Sequence, residues 1–247
     1  MSYPVALVLL TVLSLIVGGQ ISGPAVLWGV LCGIGQAFGV WWFYAALGAG
    51  PISVVSPLTA ILVAGVPVCA GVALGERPGV LALLGIAVAL VAVVLVSRGV
   101  SDHEPSSPHR FTRTVAWLTI GSGLAFGLNF VLIDQAPADA GLWPLVFARA
   151  SATVMVVLIA LAAGRLRAPT GVPLKLALVA GVLDTVANVT MLLALQASLL
   201  SLAGVLISLY PASTVALALL VLKERVTRWQ VVGMVAAAVA VAMIAAG

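Results

Sequence analysis

With 247 residues, 63% of them hydrophobic and only 7% charged, and a mean hydropathy of +1.28, the chain carries more apolar surface than a fold in water can hide; soluble domains run near about 25% charged. The net charge of +4 does not point to nucleic acid, because the basic residues lie between apolar stretches rather than along one helix face. Cys32 and Cys69 both fall inside apolar stretches, which excludes a disulfide framework and a zinc cluster of paired spacing.

A helix needs roughly 20 apolar residues to cross a bilayer, and charge, Gly and Pro divide the chain into nine such segments. The first, 4–18, has no basic stretch ahead of it and no distinct small-residue cleavage site, so it reads as a span rather than a signal peptide. The second, 24–46, holds Gln36 near its middle. Gly35 and Gly39 in it have the four-residue spacing that lets apolar helices approach closely. Near its end Trp41, Trp42 and Tyr44 suit an interfacial anchor better than a stacking site. The third, 51–73, carries Ser53, Ser56, Pro57 and Pro67, and is expected to have interrupted backbone pairing, because each proline frees a carbonyl about one turn earlier. The fourth spans 79–97, after a turn with Glu76 and Arg77 that reads as local pairing and capping.

The linker 98–114 is the most polar stretch, with Asp102, His103, Glu104, His109 and Arg110. The fifth segment, 115–133, carries Asn129 and a second close-packing pair, Gly123 and Gly127; an acidic loop with Asp134 and Asp139 follows. In the sixth, 143–163, Arg149 lies a few residues inside, where its long stem is expected to reach the headgroups or a loop acid, although it could also hold an anionic group. The seventh, 174–194, contains Asp184, the one acid well inside a span, with Asn188 one turn on along the same face. Intramembrane acids are rare and costly, so Asp184 is a candidate for binding a proton or a cationic solute, set against a packing hydrogen bond to Asn188 or a neighbouring helix. The eighth, 198–221, holds Ser208, Tyr210 and Pro211, another expected interruption; the ninth, 227–246, follows a turn with Glu224 and Arg225.

An offset of 148 residues relates the two ends of the chain without a gap. It pairs Ala194 and Leu195 with Ala46 and Leu47, Ser201 with Ser53, Leu206 with Leu58, Ala212 with Ala64, Glu224 and Arg225 with Glu76 and Arg77, and Gly233 with Gly85. The chain therefore reads as two copies of one membrane unit, a plan shared by many secondary transporters. The same offset pairs Gln36 with Asp184, which predicts similar depth for the two on either side of a central cavity, although an amide in a span is more often interhelical glue. Residues 115–148 have no partner under it, as if the first copy lacked its opening helix through a late start or a truncation, unless a nine-helix form is itself functional.

Placing the N-terminus in the cytoplasm puts Arg98, Arg110, Arg113, Arg165, Arg167, Lys175, Lys223, Arg225 and Arg228 inside and leaves Arg77 outside among the loops. Nine spans then put the C-terminus outside, and the loops of Glu76 and Glu224 fall on opposite faces, so the repeats are inverted.

The second copy runs through Gly123, Gly127, Asn129 and Phe130, then Trp143, Pro144, Phe147 and Arg149, then Gly181, Asp184 and Asn188, and closes on Ser201, Ser208, Tyr210, Pro211, Glu224, Arg225 and Gly233. This pattern resembles the EamA family of the drug/metabolite transporter superfamily. The resemblance implies ten helices in two inverted five-helix repeats, both termini in the cytoplasm, and export or exchange of small metabolites. The chain departs from it by one helix and by the orientation that its charges favour.

The expected fold is therefore all-α: a polytopic helix bundle of nine spans in the cell membrane, with a first repeat over 1–97, a linker over 98–114 and a second repeat over 115–247. No phosphate loop, HExxH or Ser-His-Asp set is present, and both histidines lie in the linker, so neither catalysis nor a cofactor or metal is expected. The expected function is a permease that moves a small metabolite or drug-like solute by alternating access, with proton coupling through Asp184. Its partners are the solute and the bilayer, not nucleic acid, and the oligomeric state is open. The binding candidates are Asp184, Asn188, Gln36, Arg149, Asn129 and Tyr210; the alternative is a truncated, non-transporting scaffold or assembly partner.

Overall fold

A computed structural model describes residues 2–99, 112–162, 164, 171–217, 220 and 227–247, without the side chains of 52, 53, 97–99 and 214. The polar linker with His103 and His109, the basic residues Arg165 and Arg167, and the Glu224–Arg225 turn lie outside the described residues. Within them the chain is all-helical: α1 Ser2–Val17, α2 Gly23–Ala49, α3 Ile52–Ala73, α4 Val80–Gly99, α5 Arg113–Asp134, a 3-10 turn Ala138–Ala140, α6 Trp143–Ala162, α7 Val172–Ala197, α8 Leu200–Ser208, α9 Tyr210–Leu217 and α10 Arg228–Ala246. Among the described residues seven stretches, with α8 and α9 counted as one, are long and apolar enough to cross a membrane, and Ser2–Val17 and Val80–Val96 are shorter apolar helices.

These helices are apolar on both faces because their solvent is lipid. In α7 the buried positions Gly181, Thr185, Leu192 and Leu195 recur at helical spacing, yet the outward positions Val179, Val182, Leu183, Val186 and Leu193 are hydrophobic too. Large apolar side chains stand exposed on nearly every helix, an arrangement that water would not tolerate and acyl chains match. The chain is a multi-pass membrane protein. Tyr44 and Trp41 of α2 are well exposed.

Helix boundaries recur at the offset found in the sequence. α2 ends at Ala49 and α7 at Ala197, α3 begins at Ile52 and α8 at Leu200, and α4 begins at Val80 and α10 at Arg228, each pair 148 residues apart. The chain divides into two compact units, one of residues 1–38 and 129–197, the other of 39–128 and 198–247, so each draws on both halves of the sequence.

In the second unit α4 packs along α10, and α3 against α8. The α4–α10 contact is reciprocal: a side chain on Gly85 would meet Ile244, and one on Gly233 would meet Val96. Gly85 and Gly233 are 148 apart, as are Val96 and Ile244, so one pairing is used twice. A core of Ala60, Ala64, Ile86, Ala89 and Val93 with Val205, Ala237 and Ala240 fills this unit with small side chains that let backbones approach. Gly123 and Gly127 of α5 receive Leu62 and Val66 of α3, the packing role their spacing suggests.

The two proline-bearing segments differ: the eighth breaks, as expected, and the third stays one helix. α3 runs unbroken from Ile52 to Ala73 through Pro57 and Pro67, and Pro67 packs where Gly204 of α8 leaves room. The eighth segment does break, at Leu209, where the backbone N–H bonds three residues back to Leu206 at 3.3 Å. Membrane helices tolerate proline when a neighbour accommodates it, and here Gly204 leaves room for the ring.

Glu76 caps a helix far from it in sequence. Its carboxylate accepts from the backbone N–H groups of Leu200 and, at 3.0 Å, Ser201, two of the unpaired donors at the start of α8. Gly71 leaves the space it occupies. Glu76→Ala is expected to destabilise the chain by about 1–2 kcal/mol, and Glu76→Gln by less, since the amide keeps one acceptor. Hydrogen exchange checks this: protection should fall at Leu200 and Ser201 first, whereas uniform loss along α8 would count against a local cap. α10 starts with its own capping box, Thr227 and Gln230 bonding reciprocally at 3.3 and 2.8 Å.

Candidate functional site

The first unit gathers the polar side chains of the membrane interior around one guanidinium. Asp184 stands near the midpoint of α7, about 18 Å along it at 1.5 Å per residue, and Gln36 stands near the midpoint of α2. Arg149, six residues into α6, joins them. Its Nη1 donates to Gln36 Oε1 at 2.9 Å and its Nη2 to Asp184 Oδ1 at 2.8 Å.

The expectation that Arg149 reaches to headgroups or a loop acid is therefore corrected. Its side chain is 2% exposed and its charge is matched by an intramembrane acid. A bare guanidinium in an apolar interior is expensive, so an acceptor at the same depth turns the stem inward. Tyr3 of α1 supplies a third partner, its ring centroid 5.0 Å from the guanidinium carbon, within cation–π range. Sequence reasoning missed Tyr3 altogether.

Asp184 is held from its own helix as well. Asn188 Nδ2 donates to Asp184 Oδ1 at 3.2 Å and to its backbone carbonyl at 2.6 Å, as the one-turn spacing suggests. One carboxylate oxygen thus takes two donors, while Oδ2 is buried without a hydrogen-bond partner, although the side chain as a whole is 30% exposed. An acceptor left open in such a place calls for an explanation.

Asn129 has a structural assignment. Its Nδ2 donates to the Cys32 carbonyl at 3.1 Å, and the Cys32 thiol faces the Asn129 carbonyl at 3.8 Å, tying α5 to α2 one turn before Gln36. Tyr210 belongs to the other compact unit and is half exposed. Of the six candidates, then, Asp184, Asn188, Gln36 and Arg149 form one cluster.

The helices reach that geometry by close approach. Gly29 and Gly33 of α2 lie against Pro144, Phe147, Ala148 and Ser151 of α6, and Ser151 Oγ donates to the Val30 carbonyl at 3.2 Å. Gly181 of α7, which is 148 residues after Gly33, lies in the same way against Ser2 and Val5 of α1. The end of this unit is closed by loops: the Gln20 N–H donates to the Asp139 carbonyl at 2.9 Å, and Gly141, with a φ of 58°, lies against Gly18 where a side chain would be strained. Among the described residues no group of three or more His, Cys, Asp or Glu could hold a metal ion.

A solved crystal structure, described only as that of a protein, is similar with a TM-score of 0.64 and 18% identity over 99% of this chain and 93% of that one. That likeness concerns the fold. No curated protein matches the chain. Residues 113–246, more than half of the chain and including Arg149, Asp184 and Asn188, match the model of the EamA-like transporter family, whose members are transporters rather than enzymes. A multi-pass helical membrane protein with an ion pair between Arg149 and Asp184 of two of its helices, the chain belongs to the EamA-like transporter family.

Proposed function

We propose that the chain is a nine-span permease that moves a small organic solute by alternating access between inverted repeats, with its N-terminus in the cytoplasm, and that Asp184 couples the movement to protons. The observation that carries this reading is the buried Arg149–Asp184 pair with one carboxylate oxygen left open. Charges held at this depth serve transport far more often than stability, since an apolar pair of similar volume usually holds helices as well or better. Asp184 is the member of the pair that can take a proton, because a guanidinium keeps its own at every physiological pH. Taking a proton on Oδ2 neutralises it and leaves Arg149 without its counter-charge, so proton uptake and release of the guanidinium are one event. The recurrence of helix ends and glycine contacts at the 148-residue offset supports two copies of one mechanical unit.

Proteoliposomes with a pH-sensitive dye inside test the coupling. With a panel of amines, alcohols and carboxylates added outside, a transported solute should change the internal pH at a rate that depends on the imposed gradient. Asp184→Asn should remove that dependence while leaving gradient-independent exchange. If Asp184→Asn keeps the dependence, coupling through Asp184 is wrong and permeation must be explained without it.

A further inference from the structure

Three groups hold the Arg149 guanidinium, and only one of them carries a charge. Asp184 is the charged one; Gln36 Oε1, 2.9 Å away, and the Tyr3 ring, 5.0 Å away, are neutral and lose nothing when Asp184 gains a proton. Lone buried cations do not persist in an apolar interior, so a guanidinium that must part from its carboxylate needs somewhere to go. Here that place is already in contact with it.

We propose that Gln36 and Tyr3 are positioning residues that form a neutral seat for Arg149, receiving the guanidinium when Asp184 is protonated. This rests on the proton-coupled reading above. A proton adds to the Asp184 carboxylate, the Nη2 bond to Oδ1 weakens, and the guanidinium, no longer drawn to a charge, turns its donor strength on Gln36 Oε1 and the Tyr3 ring, so both contacts are stronger in the protonated state than in the paired one. Loss of the proton on the other side of the membrane reverses each step. Among the described residues the charged group in contact with Asp184 is Arg149 from α6, which also meets the titratable Tyr3 from α1. Asn129 and Asn188 are neutral. Gln36 lies 148 residues before Asp184, so the seat and the proton site are the same position in the two copies, one as an amide and the other as an acid.

Infrared titration of the full chain in lipid bilayers tests this without a solute. Asp184 is the one acid near the middle of a long helix among the described residues, and the C=O stretch of its protonated carboxyl is identified as the band that Asp184→Asn removes. Gln36→Leu strips the seat, makes the stranded cation costlier and should demand about tenfold more acid to reach half-protonation. Tyr3→Leu should demand about threefold more. Gln36→Glu should act in the opposite sense: a second carboxylate keeps Arg149 paired when Asp184 is neutral, so half-protonation needs at least about tenfold less acid. Should Gln36→Leu not fold, Gln36→Asn, which withdraws the amide by one methylene, reads the same contact. A band that titrates at the same pH in Gln36→Leu or Gln36→Asn and in Tyr3→Leu overturns the seat and leaves the coupling standing. A band that does not titrate between about pH 4 and 9 overturns both.

Discussion

Arg149→Met is expected to destabilise the chain by about 3–5 kcal/mol, while the double variant Arg149→Met/Asp184→Leu should recover most of that loss. The single change leaves a carboxylate with only Asn188 for a donor in an apolar surrounding, and deprives Gln36 and Tyr3 of their shared partner. The double change removes both charges and puts apolar groups of similar size in their place, which membrane helices accept readily. Unfolding in mixed micelles, followed by circular dichroism, measures all three proteins. If the double variant is as unstable as the single, the pair is a structural strut and its retention needs no functional cause.

Gly33→Leu should be the most damaging single change at a position without a functional group, at about 3 kcal/mol. A side chain there would enter the space of the Ala148 carbonyl and the Ser151 hydroxyl on α6, and a helix backbone cannot swing aside as a flexible side chain can. α2 would have to withdraw, taking Gln36, three residues on, away from Arg149. The same change at Gly181, 148 residues later, meets the Val5 side chain and the Ser2 carbonyl at the start of α1. A helix end has more freedom to shift, so Gly181→Leu should cost less. Melting curves for the two variants decide it: equal losses would mean that the α2–α6 approach is no tighter than its counterpart.

Much of this was legible in the sequence, and the gaps have physical causes. Apolar runs and their punctuation located each described helix to within a few residues, because lipid imposes length and composition on a span more strictly than water does on a soluble helix. The 148-residue offset brought Gln36 and Asp184 together as equivalents before any geometry was known. Arg149 was misread because its distance from the helix end allows its stem to reach outward or inward, and only the position of α7 beside it decides. Tyr3 carried no signal, since a tyrosine near a span end suits an interface and its partner at the offset, Ser151, has another task. A proline's local rule holds in the eighth segment but not in the third, where Pro67 is accommodated by Gly204 on a helix well over a hundred residues away in sequence. Glu76 was given a local partner for want of any way to see the start of α8 beside it. In each case the error came from a contact between elements, which periodicity does not encode.

Transport itself is tested most directly by solute entry into proteoliposomes that hold the purified chain. Vesicles with the wild-type protein should take up at least one small organic solute from a broad panel faster than protein-free vesicles, saturably, and the Arg149→Met/Asp184→Leu protein, folded but without the charged pair, should not. Entry of every solute at the protein-free rate would contradict the permease reading, and equal, saturable entry through the double variant would contradict the role of the Arg149–Asp184 pair.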